Sequence, residues 1–267
     1  MPALTVRGSY YSIYENNKCI KYIGKSKEKG EAFLDILKNF PELLVDRNDQ
    51  QALAEYKKVK RKLVLSEFQE SQINLKLGDF RDLVKELPDN SMDLVLTDPP
   101  YPKEYLPLWS DLAKESARVL KPGAFLIAYS GQGHLTEVLK MLSEHLEYYW
   151  LGTLYHKGPT AQRFEVNMWN RAKPILFYYK KPKNKQQQWL EDVLESSESD
   201  KNYHDWGQSV APLIKLVECF SLPNQVILDP FVGGGSTIEA CRVTKRNVIA
   251  FEIDRRTFDS IRERFNL

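Results

Sequence analysis

From Ile73 onward the chain alternates short apolar runs with stretches of helical period, and no other feature constrains the fold as much. Runs rich in Val, Ile and Leu bounded by turn residues read as buried strands, and a 3.6-residue apolar repeat reads as a half-buried helix. Strands are expected at residues 73–77, 92–97, 124–129, 148–155, 175–179, 226–228 and 248–251. Helices are expected at 80–87, 108–120, 135–146 and 236–243, and around Val210, Leu213, Ile214, Val217 and Phe220. Strands that alternate with helices imply an α/β layered sheet. No segment repeats another.

The chain outside this pattern reads differently. Residues 9–14 and 19–23 look like two strands around a turn at Glu15-Asn16-Asn17, followed by helical patterning at 29–38 and 50–63. Residues 1–64 are therefore expected to be a small appendage and 65–267 the main domain. The polar stretch at 181–203, with Gln186-Gln187-Gln188 and a run of Glu, Ser and Asp, has no apolar period and is expected to be a surface loop.

Composition closes off several classes. Thirty-eight basic and 36 acidic residues leave a net charge of +2, so attraction to nucleic acid must come from local clusters. Lys57, Lys58, Lys60, Arg61 and Lys62 form one such cluster, for which a solvated helix face is the alternative. No apolar run approaches the roughly 18 residues of a membrane span, and the first ten residues lack the basic start and apolar core of a secretory signal. Three cysteines (Cys19, Cys219, Cys241) and four scattered histidines provide neither a disulfide framework nor a metal site, so a reducing, cytoplasmic setting is expected.

Two segments at the ends of expected strands carry chemistry, in the position where open α/β sheets bind ligands. Thr97-Asp98-Pro99-Pro100-Tyr101 follows the apolar run Leu94-Val95-Leu96. Two prolines fix φ and remove two donors, and Asp98 is held extended by the proline after it. The product is a stiff shelf with a carboxylate at Asp98, a carbonyl at Pro99 and a flat ring at Tyr101. Such a shelf suits a planar group bearing an amine, whose hydrogens meet the two acceptors while its ring meets Tyr101. A plain proline turn ending a strand is the alternative.

The second segment is Val226-Ile227-Leu228-Asp229-Pro230-Phe231-Val232-Gly233-Gly234-Gly235-Ser236-Thr237. A buried strand enters a glycine turn and then a helix, so backbone N–H groups face whatever lies on the turn. Ser236 follows the last glycine directly, which excludes a triphosphate loop, and Ile238 breaks the dinucleotide fingerprint. Glu252 ends the next strand, 19 residues after Gly233, where a carboxylate can accept both hydroxyls of a ribose. A tight helix–strand junction with Glu252 solvated is the alternative.

Taken together, Asp98-Pro99-Pro100-Tyr101 and Asp229-Pro230-Phe231-Val232-Gly233-Gly234-Gly235 resemble the DNA amino-methyltransferases, which use S-adenosylmethionine to methylate the exocyclic nitrogen of adenine or cytosine. The tetrapeptide comes first here, with Asp98 and Asp229 131 positions apart, as in the circularly permuted beta group. Leu77-Gly78-Asp79, Arg118-Val119-Leu120-Lys121-Pro122-Gly123 and His204-Asp205-Trp206-Gly207-Gln208-Ser209 extend the resemblance over about residues 73–267. It implies a Rossmann-like, mostly parallel sheet of about seven strands with helices on both faces. It implies catalytic roles for Asp98, Pro99, Pro100 and Tyr101, and contacts to S-adenosylmethionine from Asp79, Gln208, Ser209, Asp229, Phe231, Gly233, Gly235, Ser236, Thr237 and Glu252.

The chemistry implied is direct transfer to a base flipped out of double-stranded DNA. Carbon-5 cytosine methyltransferases use a Pro-Cys nucleophile, whereas Lys18, Glu218 and Ala240 precede the three cysteines here. Asp98 favours adenine, since cytosine-N4 enzymes more often carry serine before the Pro-Pro. A non-catalytic nucleic-acid-binding subunit on the same fold is the reading from another class. Phosphate contacts are expected from the 57–62 cluster and a second basic cluster at 180–185, and sequence choice from residues 1–63, the loop after Tyr101 and the stretch Lys157 to Lys173 with Arg163, Trp169 and Arg171. A restriction–modification system and a phage are the two settings compatible with the resemblance, and the sequence does not decide between them. Relatives of the permuted group are sometimes homodimers, but no interface is legible.

Overall fold

The computed structural model describes the backbone of four strands within residues 1–72, and from there on residues 73–157, 161–164, 166–183, 186, 188–196 and 210–267. The chain forms two compact units, Met1–Phe68 and Gln69–Leu267. In the first, β1 (Ala3–Arg7), β2 (Tyr10–Glu15), β3 (Lys18–Lys25) and β4 (Leu44–Val45) form a sheet in the order β3-β2-β1-β4. β2 and β3 pair antiparallel across the expected turn. The expected helices at 29–38 and 50–63, with Lys57, Lys58, Lys60, Arg61 and Lys62, lie outside the described residues.

The second unit begins with β5 (Ile73–Leu77), α1 (Phe80–Leu83), β6 (Met92–Thr97), α2 (Leu106–Val119), β7 (Leu120–Tyr129), α3 (Leu135–Ser143) and β8 (Glu147–His156). It continues with β9 (Ala161–Arg163), β10 (Met168–Asn170), β11 (Ala172–Tyr179), β12 (Val193–Ser196), α4 (Val210–Phe220), β13 (Val226–Asp229), α5 (Ser236–Thr244), β14 (Asn247–Glu252) and α6 (Arg255–Phe265). Eight strands form one sheet in the order β12-β8-β11-β7-β6-β13-β14-β5. β11 runs antiparallel to both its neighbours, and every other pairing in the sheet is parallel.

Two crossovers locate the functional end of this sheet. The β6–α2–β7 and β13–α5–β14 units each join neighbouring parallel strands, but they step in opposite directions along the sheet. Such connections are right-handed, so α2 and α5 cover opposite faces. The direction of winding reverses between β6 and β13, and a crevice opens beyond the carboxyl ends of strands at such a point. The sequence explains why these strands are central. Leu94, Val95 and Leu96 of β6, Leu126, Ile127 and Ala128 of β7, and Ile227 and Leu228 of β13 are all buried, as strands covered on both faces require. Trp109 and Leu112 of α2 close one side of the core. Each such large apolar side chain contributes about 1.5–3 kcal/mol on burial.

Three elements depart from expectation. The polar stretch at 181–203 contains β12, the eighth strand, which pairs parallel with β8 from Val193↔Thr153 to Ser196↔His156. Leu194 is buried there while Val193 is exposed, so a single inward leucine anchors an edge strand in a polar segment. α6 was hidden by its arginines, although Ile261 and Phe265 give it one buried stripe. β9 and β10 form a two-stranded hairpin of their own. Among the described residues, no helix is long and apolar enough to cross a membrane, and no group of three or more His, Cys, Asp or Glu could hold a metal ion.

Candidate active site

β6 and β13 end side by side, and a buried hydrogen bond joins their ends. Thr97 Oγ1 donates to Asp229 Oδ1 at 2.7 Å. Asp229 also accepts from the backbone N–H of Phe231 at 3.1 Å and from the Thr237 hydroxyl. Its carboxyl is buried beneath the turn, and that burial pushes its pKa up to about 6. Asp229, expected as a cofactor contact, thus ties the end of β6 to the glycine turn.

The turn has one filled side and one open side. Gly235 has φ +80°, and a Cβ there would meet the Phe265 ring of α6 at 2.7 Å. Arg264 of the same helix donates to the Gly234 carbonyl at 2.6 Å and to Glu239 at 3.0 Å. Gly233 has φ +50°, and a Cβ there would meet nothing within 4 Å. The open side is bordered by Glu252, whose Oε2 accepts from Gly233 N at 3.0 Å and whose Oε1 accepts from Asp254 N at 2.9 Å. Burial raises the Glu252 pKa. The Ile253 backbone N–H also donates to this carboxylate, which offers about four acceptor positions, so about one remains for a ligand's hydroxyl.

The other residues expected at the cofactor are placed as follows. The half-buried Phe231 ring packs on the buried Phe80 ring of the core, with centroids 4.8 Å apart. Ser236 and Thr237 open α5, Ser236 half-buried and Thr237 buried. Asp79 caps α1 and holds the Arg81 guanidinium, which keeps its carboxyl below the usual range. Gln208 and Ser209 lie outside the described residues.

The shelf occupies the end of β6. Asp98 is half-buried, Pro99 is buried, and Pro100 and Tyr101 are partly exposed. The Tyr101 hydroxyl donates to Asp98 Oδ1, and its ring lies against Gly131, where a Cβ would stand 3.0 Å from Tyr101 Cβ. Lys173 Nζ donates to Asp98 Oδ2 at 2.6 Å and sits 5.0 Å from the ring centroids of both Tyr101 and Tyr129. Burial, reinforced by the Asp98 charge, raises both phenols, so each is a neutral donor at ordinary pH. The Tyr129 hydroxyl is buried with no hydrogen-bond partner among the described residues. His156 stands at the end of β8, its pKa lowered by burial and by the Lys173 charge and partly restored by Asp98.

Sequence reasoning named Lys173 only as the end of the 157–173 stretch and missed its contact with Asp98, and it missed Tyr129 and Arg264 altogether. Lys173 lies two residues before the expected strand at 175, and β11 in fact begins at Ala172. Because β11 is antiparallel to β7, its first residues, not its last, reach the end of the sheet where Asp98 stands. The β9–β10 hairpin, which precedes β11, emerges at that same end. It carries Phe164, Val166, Met168 and Trp169 at 79, 65, 63 and 63% exposure, with Arg163 and Arg171 exposed beside them.

Comparison with known proteins agrees with this arrangement. A family model described as DNA methylase matches residues 92–263. The type II methyltransferase M.HpaI of Haemophilus parainfluenzae is 23% identical over 223 residues, covering 68% of this chain and 71% of that protein. M.BamHI of Bacillus amyloliquefaciens, also a type II methyltransferase, is 26% identical over 298 aligned positions, covering 89% of this chain and 70% of that protein. The crystal structure of the M1.HpyAVI–SAM complex superposes with a TM-score of 0.61 at 20% identity, covering 73% of this chain and 100% of that one. The PvuII DNA methyltransferase, cytosine-N4-specific, gives 0.63 at 16% identity, covering 73% and 88%. A shelf of acceptors beside a glycine cradle, on this sheet and within this match, gives the assignment: the chain belongs to the N6/N4 family of DNA methylases.

Proposed function

We propose that the protein methylates the exocyclic amine of adenine in double-stranded DNA, with S-adenosylmethionine as donor. The observation that carries this reading is the juxtaposition at the β6/β13 switch point. Asp98-Pro99-Pro100-Tyr101 ends one strand and the glycine turn ends its neighbour, and Thr97 and Asp229 bond across them. The order of the two motifs also matches the permuted beta group.

The crevice fits the donor. The open side of Gly233, the Glu252 carboxylate beside it and the half-buried Phe231 ring suit a nucleoside with a flat base and a ribose hydroxyl. When bound, S-adenosylmethionine supplies a methyl group activated by its sulfonium. The chain's own residues prepare the acceptor. The amine lone pair of adenine is delocalised into the ring, so the nitrogen is a weak nucleophile. Asp98 and the Pro99 carbonyl accept its two hydrogens and localise the lone pair on nitrogen as it becomes tetrahedral, an interaction that strengthens toward the transition state. The Tyr101 ring offers a stacking face for a base outside the duplex.

Arg163 and Arg171, with the exposed Phe164 and Trp169, make the β9–β10 hairpin the DNA-contacting element nearest the shelf. Lys57, Lys58, Lys60, Arg61 and Lys62 of the N-terminal unit supply further phosphate contacts, and residues 65–267 form the catalytic domain. The test is to incubate the protein with genomic DNA and S-adenosylmethionine, digest to nucleosides and identify the product by mass spectrometry. N6-methyl-2′-deoxyadenosine is expected. N4-methyl-2′-deoxycytidine would retain the mechanism and correct the base, and an unmodified digest would contradict the reading.

A further inference from the structure

Lys173 makes the same two contacts that the shelf offers to a target base. An incoming amine needs the Asp98 carboxylate as acceptor and the Tyr101 face beneath its ring. In the free protein Lys173 Nζ donates to Asp98 Oδ2 at 2.6 Å and lies 5.0 Å from the Tyr101 centroid. The ammonium is well enclosed: the Lys173 side chain is 15% exposed, and the Tyr129 ring stands 5.0 Å away on a second side. An ammonium is a compact cation with three donors on a flexible stem, so it can leave without disturbing the backbone that carries it. That backbone is fixed, because Pro174 follows and its carbonyl accepts from Ser130 N at 3.0 Å.

We propose that Lys173 is a positioning residue of the free protein: its ammonium is the resident occupant of the base pocket, holding Asp98 until a target base displaces it, and so sets the DNA concentration at which the pocket fills. This inference rests on the methyltransferase reading above.

The chemistry of transfer gives the direction. As the methyl group arrives, positive charge develops on the amine nitrogen. A cation on the same carboxylate opposes that charge, in a site where low dielectric magnifies the opposition. The contact therefore belongs to the free state, and the reacting state requires Lys173 to have moved. Every base that enters must replace an ion pair of good geometry. That cost is the same for every sequence, so it reduces the apparent affinity for all DNA by one factor and leaves the ratio between sites unchanged. In the empty pocket it also neutralises the carboxylate that would repel an approaching polyanion.

The test uses the full chain and its Lys173→Met and Lys173→Arg variants. Preferred sites are first mapped on genomic DNA methylated by the wild type. Duplexes carrying the preferred site or single-base variants of it are then compared for kcat and KM, and S-adenosylmethionine affinity is measured by calorimetry. Lys173→Met, of similar length without the charge, is expected to lower KM for DNA by about tenfold, by the same factor for the preferred site and its single-base variants. Its cognate kcat and donor affinity are expected to stay near wild type, and Lys173→Arg, which keeps the cation, should keep the wild-type KM. A KM for DNA that is unchanged or raised in Lys173→Met overturns the proposal. So does loss of cognate kcat with donor binding intact, which would make the ammonium part of the transition state. If the wild type methylates no DNA, the methyltransferase reading fails instead, and the two failures are distinct.

Discussion

At the scale of single residues, the site is organised by carboxylates in three different environments. Asp98 is half-buried and faces the pocket, Glu252 borders the open side of the turn, and Asp229 lies fully beneath it. Asp229 provides a prediction that does not depend on activity. Burial lifts its pKa from 3.8 to about 6, so the folded state favours the protonated form. That contribution to stability is complete below the unfolded value and is lost as pH rises through the folded one. The shift of about two units corresponds to roughly 3 kcal/mol. Asp229→Asn keeps an oxygen acceptor for Thr97 and Phe231 and removes the charge. Urea unfolding at a series of pH values should show the variant gaining on the wild type between about pH 4 and pH 6 and levelling off above that, by up to roughly 3 kcal/mol. A difference that stays flat with pH would contradict the assignment. The tie between strand ends was not legible in the sequence, because Thr97 reads as the last residue of a strand and nothing marks its hydroxyl as the partner of a residue in another segment.

At the scale of elements, the apolar strands and the glycine turn were readable and the connections around them were not. β6 and β13 announced themselves because central parallel strands are apolar on both faces and end at residues that cannot continue a ladder. β12 escaped because an edge strand buries one side only, and a single leucine sets no period. α6 escaped because arginine fills its exposed face, although Phe265 and Arg264 brace the glycine turn from below. The β9–β10 hairpin carries an element-scale prediction. Replacing Arg163 and Arg171 with alanine should weaken duplex binding and lower the slope of log affinity against log salt by about 0.9 for each phosphate that is no longer neutralised. Trp169→Ala should weaken binding by about tenfold, in line with the loss of one stacked base. Both sets of side chains are exposed, so thermal melts of the variants should match the wild type. Fluorescence anisotropy across a salt series reads both effects, and an unchanged slope would remove the hairpin from the DNA interface.

At the scale of the whole molecule, a sheet whose winding reverses between β6 and β13 brings together two motifs 131 positions apart in sequence. Neither motif alone specifies the chemistry. Asp-Pro-Pro-Tyr is a turn until an amine has a methyl donor beside it, and the glycine turn is a junction until an acceptor stands next to it. Their conjunction was legible in the sequence, whereas Lys173, which reaches the shelf from an antiparallel strand, required the three-dimensional order of strands. The most direct measurement follows transfer of labelled methyl groups from S-adenosylmethionine into duplex DNA by the wild type and by Asp98→Ala, with donor affinity measured in parallel by calorimetry. The structure predicts labelled DNA from the wild type, a loss of at least about a hundredfold in Asp98→Ala, and donor affinity within about twofold of wild type in both. Transfer at the wild-type rate by Asp98→Ala would contradict the assignment of the shelf as the catalytic element.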